Sequence, residues 1–388
     1  MLLPIDLSKK SPTTFEQGAT LVAVVELSLK SWLVAGIVPG IDRHPLKKFE
    51  ASENRLLALL GHWLQQALNA GSRIKRIVVA FEAGRDGFWL ARWLRARGIE
   101  AYVIHPTSVA VSREHRRAKT DRLDTELLKR AFLGWLRGET HHCRMVAIPT
   151  LEEEDAKRPN REHDTLVRQR TRIINRIKSG LVRFGIQNFK PTLRKSAERL
   201  AKLMTPEGMR LPPNTVAELH RDMERLRFIR DQIKAVEQAR IKDLKTAPKT
   251  QSNAMVLLIA RVFGIGIETA DMLVHEILSR NLRDRRAVAR YAGLTGSPDE
   301  SGDRRREKGL ARAGNARVRR GMIQLAWRFL RFHSDNPLAQ WYHKRTADAR
   351  GSTRKTMIVA LARKLLIALW RMVTTGEIPR GLKLRAAA

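Results

Sequence analysis

Leu21-Val22-Ala23-Val24-Val25-Glu26 and, after a polar turn, Trp32-Leu33-Val34-Ala35-Gly36-Ile37-Val38 are the stretch on which the fold turns. The first opens with a continuous apolar run, as a strand covered on both faces requires, and the second ends at Pro39-Gly40, a pair that breaks regular structure. A third short strand is predicted over residues 47–50. Ser52-Glu53-Asn54 then opens an amphipathic helix whose apolar positions Leu56, Leu57, Leu60, Trp63, Leu64 and Leu68 recur at helical spacing until Gly71 stops it. Residues 74–81 read as another buried strand and 87–97 as a helix closed by Gly98. Residues 101–104 read as a strand ended by Pro106, and 119–136 as a further helix.

Three strands, helix, strand, helix, strand, helix is the order of a ribonuclease H-like α/β nuclease fold, here placed over residues 18–149. In such a fold the end of the first strand, the end of the fourth and the last helix converge at one sheet edge. Those places hold Glu26, Glu82 and the pair Asp121 and Asp124, which are three apart and so share a helix face. Four carboxylates that close repel one another unless cations share them. Two Mg²⁺ ions with oxygen ligands would do so and could bracket a phosphodiester. Taken singly, each acid reads equally as a strand-end or helix-surface charge. The four together, in this element order, point to a metal site.

Beyond Pro149 the character changes to helices. Over residues 150–250, Leu166, Ile173, Ile177, Leu181 and Phe184 form one narrow apolar seam flanked by Arg and Lys. Leu219, Met223, Leu226, Ile233 and Val236 form a second, behind a Thr215…Glu218 capping box. Such seams suit an antiparallel helical hairpin or an intermolecular coiled coil, with Pro191, Pro212 and Pro213 marking an irregular crossing. Residues 251–388 are read as a third, helical domain interrupted by a Gly- and Arg-rich loop at 294–316. Within it, Phe263-Gly264-Ile265-Gly266-Ile267-Glu268-Thr269 carries a helix-hairpin-helix signature, whose glycines let the backbone approach a phosphate. A tight glycine turn between core helices has the same pattern. The loop holds Ser301-Gly302, Arg304, Arg305, Arg306, Lys308, Arg312 and Gly314-Asn315, and Arg317 follows it, with eight basic residues against one acidic between 304 and 320. A serine there could attack a phosphate while guanidiniums stabilise the developing charge. Ser297 is a rival in the same loop, and loop serines often only cap turns.

The chain has 388 residues and a formal net charge of +35. Self-repulsion of that size is relieved by a polyanionic partner, and nucleic acid is the economical one. Hydrophobic residues at 43% exclude global disorder, while aromatics at 6% argue against a protein that grips single strands mainly by stacking. One cysteine, Cys143, excludes a disulfide framework and any Cys-based zinc module. His141-His142-Cys143 has no second Cys/His pair at ligand spacing and is read as loop or structural. Leu2-Leu3-Pro4-Ile5 is too short for a leader's apolar core and Asp6 interrupts it, so none is expected. Residues 357–370 are apolar but broken by Arg363 and Lys364, so no membrane partner is expected either. A soluble cytoplasmic protein follows.

Together these residues resemble the insertion-sequence transposases of the family numbered one hundred and ten, relatives of the Piv/MooV DNA invertases. The matching stretches are Val24-Val25-Glu26-Leu27-Ser28-Leu29-Lys30, Ala80-Phe81-Glu82-Ala83-Gly84 and Ala118-Lys119-Thr120-Asp121-Arg122-Leu123-Asp124. Further on they are Phe263-Gly264-Ile265-Gly266 with Thr269-Ala270, Ala292-Gly293-Leu294, Ser301-Gly302, Gly314-Asn315-Ala316-Arg317 and Ala360-Leu361-Ala362-Arg363-Lys364-Leu365-Leu366. The resemblance implies a DEDD RuvC-like domain joined to a serine-containing one. It implies a bacterial, nucleoid-associated DNA recombinase guided by a structured bridge RNA that pairs with target and donor DNA. Ser301 would form a phosphoserine, and Glu26, Glu82, Asp121 and Asp124 would hold Mg²⁺. Nucleic-acid contacts are expected from Lys119, Arg122, Gly264, Gly266, Thr269, Arg304, Arg305, Arg306, Lys308, Arg312, Asn315 and Arg317. A homo-oligomer, dimer or tetramer, would share the site between subunits, with the apolar seams as assembly surfaces. By the resemblance, the family usually has Asp where this chain has Glu26. Ile5-Asp6-Leu7-Ser8-Lys9-Lys10 copies the family's motif more closely but lacks the second strand, so the position is assigned to Glu26. The competing readings are a metal-only nuclease that uses water instead of serine, and a nucleic-acid scaffold inactivated at Glu26.

Overall fold

Six strands form one sheet in the order β3-β2-β1-β4-β5-β6, built from β1 (Thr20–Leu27), β2 (Ser31–Ile37), β3 (Leu46–Glu50), β4 (Arg76–Glu82), β5 (Glu100–Ile104) and β6 (Met145–Val146). The computed structural model describes residues 15–84, 87–109, 120–248, 250–301, 304–311, 313–347 and 351–386, with the backbone alone at 107, 298–301, 304–308 and 352. These fall into two compact units that divide between Glu152 and Glu153. In the first, β1 runs antiparallel to β2 and parallel to β4, β2 is antiparallel to β3, and β4 is parallel to β5. That is the ribonuclease H-like topology expected from the element order. The antiparallel strand β6 on the edge of β5 is invisible in the sequence, because two residues carry no periodicity.

Alternate side chains of β1 and β4 serve opposite faces. Leu21, Ala23, Val25, Ile77, Val79 and Phe81 pack with α1 (Glu53–Asn69) and α2 (Trp89–Arg95). Val22, Val24, Val78 and Ala80 pack with α3 (Asp121–Leu136) through Leu128, Ala131, Phe132 and Leu136. Helix α1 starts where Ser52 accepts a hydrogen bond from the Arg55 amide, and it buries Leu56, Leu60, Trp63, Leu64 and Ala67 along one stripe. Burying each of the large apolar side chains stabilises the unit by roughly 1.5–3 kcal/mol. Gly36 in β2 makes room for this stripe: a Cβ there would lie 2.6 Å from the Trp63 ring.

The second unit contains α4 (Leu151–Asp155) in part, then α5 (Arg158–Val182), α6 (Ser196–Ala201) and α7 (Pro213–Thr246). His163 contacts Glu237, Arg176 contacts Asp222, and Gly180 lies against Leu219, so α5 and α7 run antiparallel. Ile173, Ile177 and Leu181 meet Leu219, Met223 and Leu226 in their seam. Asp222 is buried there; the Arg176 guanidinium beside it, helped by Arg225, holds its carboxyl below the ordinary range despite burial. A separate core gathers α8 (Gln251–Ala260), α9 (Ile267–Leu273), α10 (Arg285–Tyr291), α11 (Ala316–Phe332), α12 (Pro337–Thr346) and α13 (Gly351–Thr375) around Val256, Leu273, Met322, Phe329, Leu365 and Leu369. The segment expected as a loop at 294–316 instead contains an antiparallel hairpin of β7 (Gly296–Ser301) and β8 (Arg304–Leu310). Its sequence hides the strands, since Pro298 and a run of charges replace the apolar alternation that marks a half-buried strand. No described helix is long and apolar enough to cross a membrane.

Candidate functional site

The four carboxylates come to one edge of the first unit's sheet. Val25 pairs with Phe81 in the parallel ladder, so Glu26 and Glu82 stand one step further on, at the C-terminal ends of neighbouring strands. Both share the parity of Val22, Val24, Val78 and Ala80, which places them on the face that α3 covers. Helix α3 begins at Thr120, whose hydroxyl accepts from the Leu123 amide, and carries Asp121 and Asp124 in its first turn, where the helix dipole favours acids. Asp124 precedes Leu128 and Ala131 on the stripe that packs against the sheet. The end of α3 is located independently by Lys48. Lys48 pairs with Leu33, and Leu33 with Glu26, so the lysine lies in the same cross-strand row; its Nζ is 3.8 Å from Asp121 Oδ2. The donor set is all carboxylate oxygen, the chemistry that a hard cation such as Mg²⁺ selects. Among the described residues, no three of these carboxylates bring oxygens within 4.8 Å of one another.

In the second unit the glycine motif forms the turn between α8 and α9. Gly264 has φ +83° and faces the Phe332 ring, which a Cβ would approach to 2.9 Å, whereas a Cβ on Gly266 would meet nothing within 4 Å. The turn is fixed from behind by the buried His333, whose Nε2 lies 2.9 Å from the Phe263 carbonyl. Burial lowers the His333 pKa, which keeps the ring neutral against that carbonyl. Thr269 accepts a hydrogen bond from Arg328 at 3.2 Å.

Ser301 ends β7 and pairs with Arg304 across the hairpin, while Glu300 pairs with Arg305 and Asp299 with Arg306. Gly302, Lys119 and Arg312 lie outside the described residues, as do the side chains of Ser301, Arg304, Arg305, Arg306 and Lys308. The hairpin's root is tightly defined. Gly314 has φ +86°, and a Cβ there would lie 2.6 Å from the carbonyls of Arg290 and Tyr291. Asn315 donates its backbone N–H to the Tyr291 carbonyl at 2.6 Å and caps α11 through the Arg317 and Val318 amides. Its side-chain amide also donates to Glu276 Oε2 at 2.9 Å.

Two family models match this chain. Residues 257–343 match the Transposase IS116/IS110/IS902 family, and residues 42–186 match the DEDD transposase model of the IS110 group. A protein of Sinorhizobium fredii named as a transposase, y4rJ, is 39% identical over 386 residues and covers 96% of each chain. The chain belongs to the IS110 family of transposases. The transposase for insertion sequence element IS1328 of Yersinia enterocolitica is 26% identical over 305 residues, covering 78% of this chain and 85% of the relative. Family membership makes the chain a DNA-cleaving enzyme of transposition in general terms, with DNA as a partner.

In this transposase, several polar residues have internal duties that the sequence does not announce. Arg317 donates to Asp164 at 2.7 Å and lies 3.6 Å from Glu276, so its guanidinium is directed into the second unit, as is the Asn315 amide. Glu276 sits on a π-helical turn, Val274–Leu278, and its side chain is only 4% exposed. Burial acts to raise its pKa, but hydrogen bonds from Arg161 and Asn315 and the charges of Arg161 and Arg317 outweigh this and hold the carboxyl below its ordinary range. Arg122 is exposed on the first turn of α3. Near the other end of α3, Glu139, His141 and His142 bring one ligand atom each within 4.8 Å of one another and could chelate a metal. This donor set differs from a carboxylate Mg²⁺ site. Cys143 takes no part: it is buried, donates to the Ala131 carbonyl at 3.4 Å, and burial pushes its thiol up to about 11.

Proposed function

We propose that this transposase cuts and rejoins DNA through a phosphoserine formed on Ser301, on DNA selected by a structured guide RNA. What supports the reading is that Glu26 and Glu82 stand on the sheet face that α3 covers, while Asp121 and Asp124 lie in the first turn of that helix. These four side chains would hold Mg²⁺, which when bound supplies charge neutralisation at the phosphate and at the leaving oxygen. Ser301 Oγ attacks phosphorus, a new P–O bond forms, and the bond to one deoxyribose oxygen breaks. That sugar leaves as a hydroxyl with the proton the serine gave up. Attack by another strand's sugar hydroxyl reverses the step, restoring the serine and a phosphodiester without external energy.

The neighbouring residues support the step by binding and orientation. Arg304, Arg305 and Arg306 follow the serine directly across the turn, where guanidiniums would neutralise the phosphate's growing charge. The α8–α9 turn would act as a helix-hairpin-helix that holds a phosphate at the uncrowded Gly266 without reading sequence. A net charge of +35 suits two nucleic-acid partners at once. The antiparallel α5 and α7, with Phe228 62% exposed, would supply an assembly surface for a dimer or tetramer.

The test is the full chain with its co-purifying nucleic acid, assayed for strand cleavage and for a protein–DNA adduct that survives denaturation. The wild type forms the adduct, and recovered RNA is one discrete species. Ser301→Ala loses both adduct and cleavage. If Ser301→Ala still cuts while Glu82→Gln does not, the enzyme is a metal-only nuclease and the serine chemistry is wrong.

A further inference from the structure

At the C-terminal end of α3 the chain makes a tight turn before β6. The turn is held by the Glu139 amide donating to the Gly134 carbonyl at 3.0 Å, the Thr140 amide to Gly138 at 2.9 Å and the His142 amide to Glu139 at 3.2 Å. Gly138, at φ +95°, supplies the left-handed step. This backbone puts the Glu139 carboxylate and both imidazoles on one side. His142 Nε2 lies 2.5 Å from Glu139 Oε2, the His141 and His142 rings pack with centroids 4.3 Å apart, and the three ligand atoms fall within 4.8 Å.

A second observation shows that the place of His142 is built rather than incidental. Its ring lies against Gly134, inside the last turns of α3, where a Cβ would stand 2.6 Å from His142 Cδ2. Glycine in a helix interior costs about 1 kcal/mol relative to alanine. That cost seats the imidazole on the helix, beside the carboxylate. On the other side of the turn Cys143 is buried and bonded to the Ala131 carbonyl, so both flanks of the ligand cluster are anchored to the same helix.

We propose that Glu139, His141 and His142 form a binding site for a borderline divalent cation, with Zn²⁺ as the probe, which fastens the C-terminal end of α3 to the turn entering β6. Two imidazole nitrogens and one carboxylate oxygen are a ligand set that Zn²⁺ accepts and Mg²⁺ does not favour. Three protein ligands leave the fourth tetrahedral position to water. The carboxylate edge is a separate place, since Asp121 and Asp124 begin the 16-residue helix and this cluster follows its end, about 20 Å away at 1.5 Å per residue. A cation here would fix the far end of the helix that presents those two aspartates.

The full-length chain, stripped with a chelator and dialysed, is titrated with Zn²⁺ by calorimetry and by competition with a chromophoric chelator. One saturable site per chain is expected, unaffected by millimolar Mg²⁺ and by Glu82→Gln, with the apparent Tm raised by about 5 °C at saturation. His142→Ala and Glu139→Gln each weaken it at least about tenfold, and Gly134→Ala does the same while all three ligands remain. Far-UV circular dichroism of the metal-free variants checks folding, and the exposed His141→Ala serves if Gly134→Ala does not fold. Absence of a saturable site overturns the proposal. So does a site that the His141→Ala/His142→Ala pair leaves unchanged, which would be adventitious binding elsewhere, or one that Mg²⁺ displaces.

Discussion

Glu26 and Glu82 stand at the C-terminal ends of neighbouring strands in the middle of a six-stranded sheet with apolar clusters on both faces, whereas Ser301 ends the first strand of a sheet that has only two. The first arrangement fixes side-chain direction by pleat and packing: a one-residue slip would turn both acids to the α1 face. The second fixes only the hairpin's root, through Gly314, Asn315 and Glu276, and leaves its tip without a third strand. Charges that must share a cation call for placement by a core. The proposed nucleophile instead ends a strand with a single neighbour, on a ribbon whose root is the part that is fixed. The two regions should therefore respond to mutation in opposite ways.

The largest effect is expected at the ribbon and in chemistry alone. Ser301→Ala should lower DNA strand transfer roughly 10⁴-fold or more, the scale seen when a nucleophile acting within a catalytic unit is removed. Its thermal unfolding should match the wild type, because the residue lies beyond the root. A clear fall in Tm would mean that the hairpin's tip is part of a core and would break the contrast.

Trp63→Ala tests the other side. It removes a ring with 1% exposure from beneath β2 and should cost about 3–5 kcal/mol, read as a shifted denaturation midpoint. Gly36→Ala should cost about 1–3 kcal/mol by forcing the same ring aside. Both should reduce cleavage only in step with the unfolded fraction.

These contrasts also explain what the sequence discloses. The order of the first unit follows from runs such as Leu21–Val25 and the α1 stripe, since alternation and 3.6-residue periodicity are direct imprints of burial. The placement of Glu82 beside Glu26 follows once the strands are ordered. The β7–β8 ribbon is illegible because its strands answer to backbone pairing and not to a core, so Pro298 and the arginines mask it. Glu276 is illegible for another reason: its role depends on Arg161 and Asn315, distant in sequence, and on a π-helical turn that no local pattern marks. Glu139 is illegible because the local pattern His141-His142-Cys143 points to the cysteine as the third ligand, and the cysteine turns inward.

Glu276 sharpens the comparison at intermediate size. Removing it by Glu276→Ala leaves the part-buried Arg317 and Asn315 short of an acceptor, while the half-exposed Arg161 can turn to water, and should cost about 2 kcal/mol. Its carboxyl pKa is depressed in the folded chain, so the folded state holds fewer protons than the unfolded state as the group titrates. The stabilisation is complete above the ordinary value of 4.5 and is lost as pH falls through the lower folded value. Glu276→Gln should flatten the acid limb of the stability curve in that window, and limited proteolysis beside Gly314, at the hairpin's root, should accelerate. An unchanged acid limb would remove this carboxylate from the hairpin's root.

The smallest effect belongs to Lys48→Met. The Lys48–Asp121 pair spans 3.8 Å with both side chains more than half exposed, so its loss should cost no more than about 0.5 kcal/mol. Its effect on chemistry should nevertheless have a sign. Lysine competes with any cation for Asp121, so its removal should lower the Mg²⁺ concentration that gives half-maximal cleavage while leaving the maximal rate unchanged. Because Lys48 sits in the cross-strand row of Leu33 and Glu26, a shift in that midpoint would tie Asp121 to the row. No shift would mean that Asp121 acts apart from the acids on the strands, and that packing alone brings α3 to this edge.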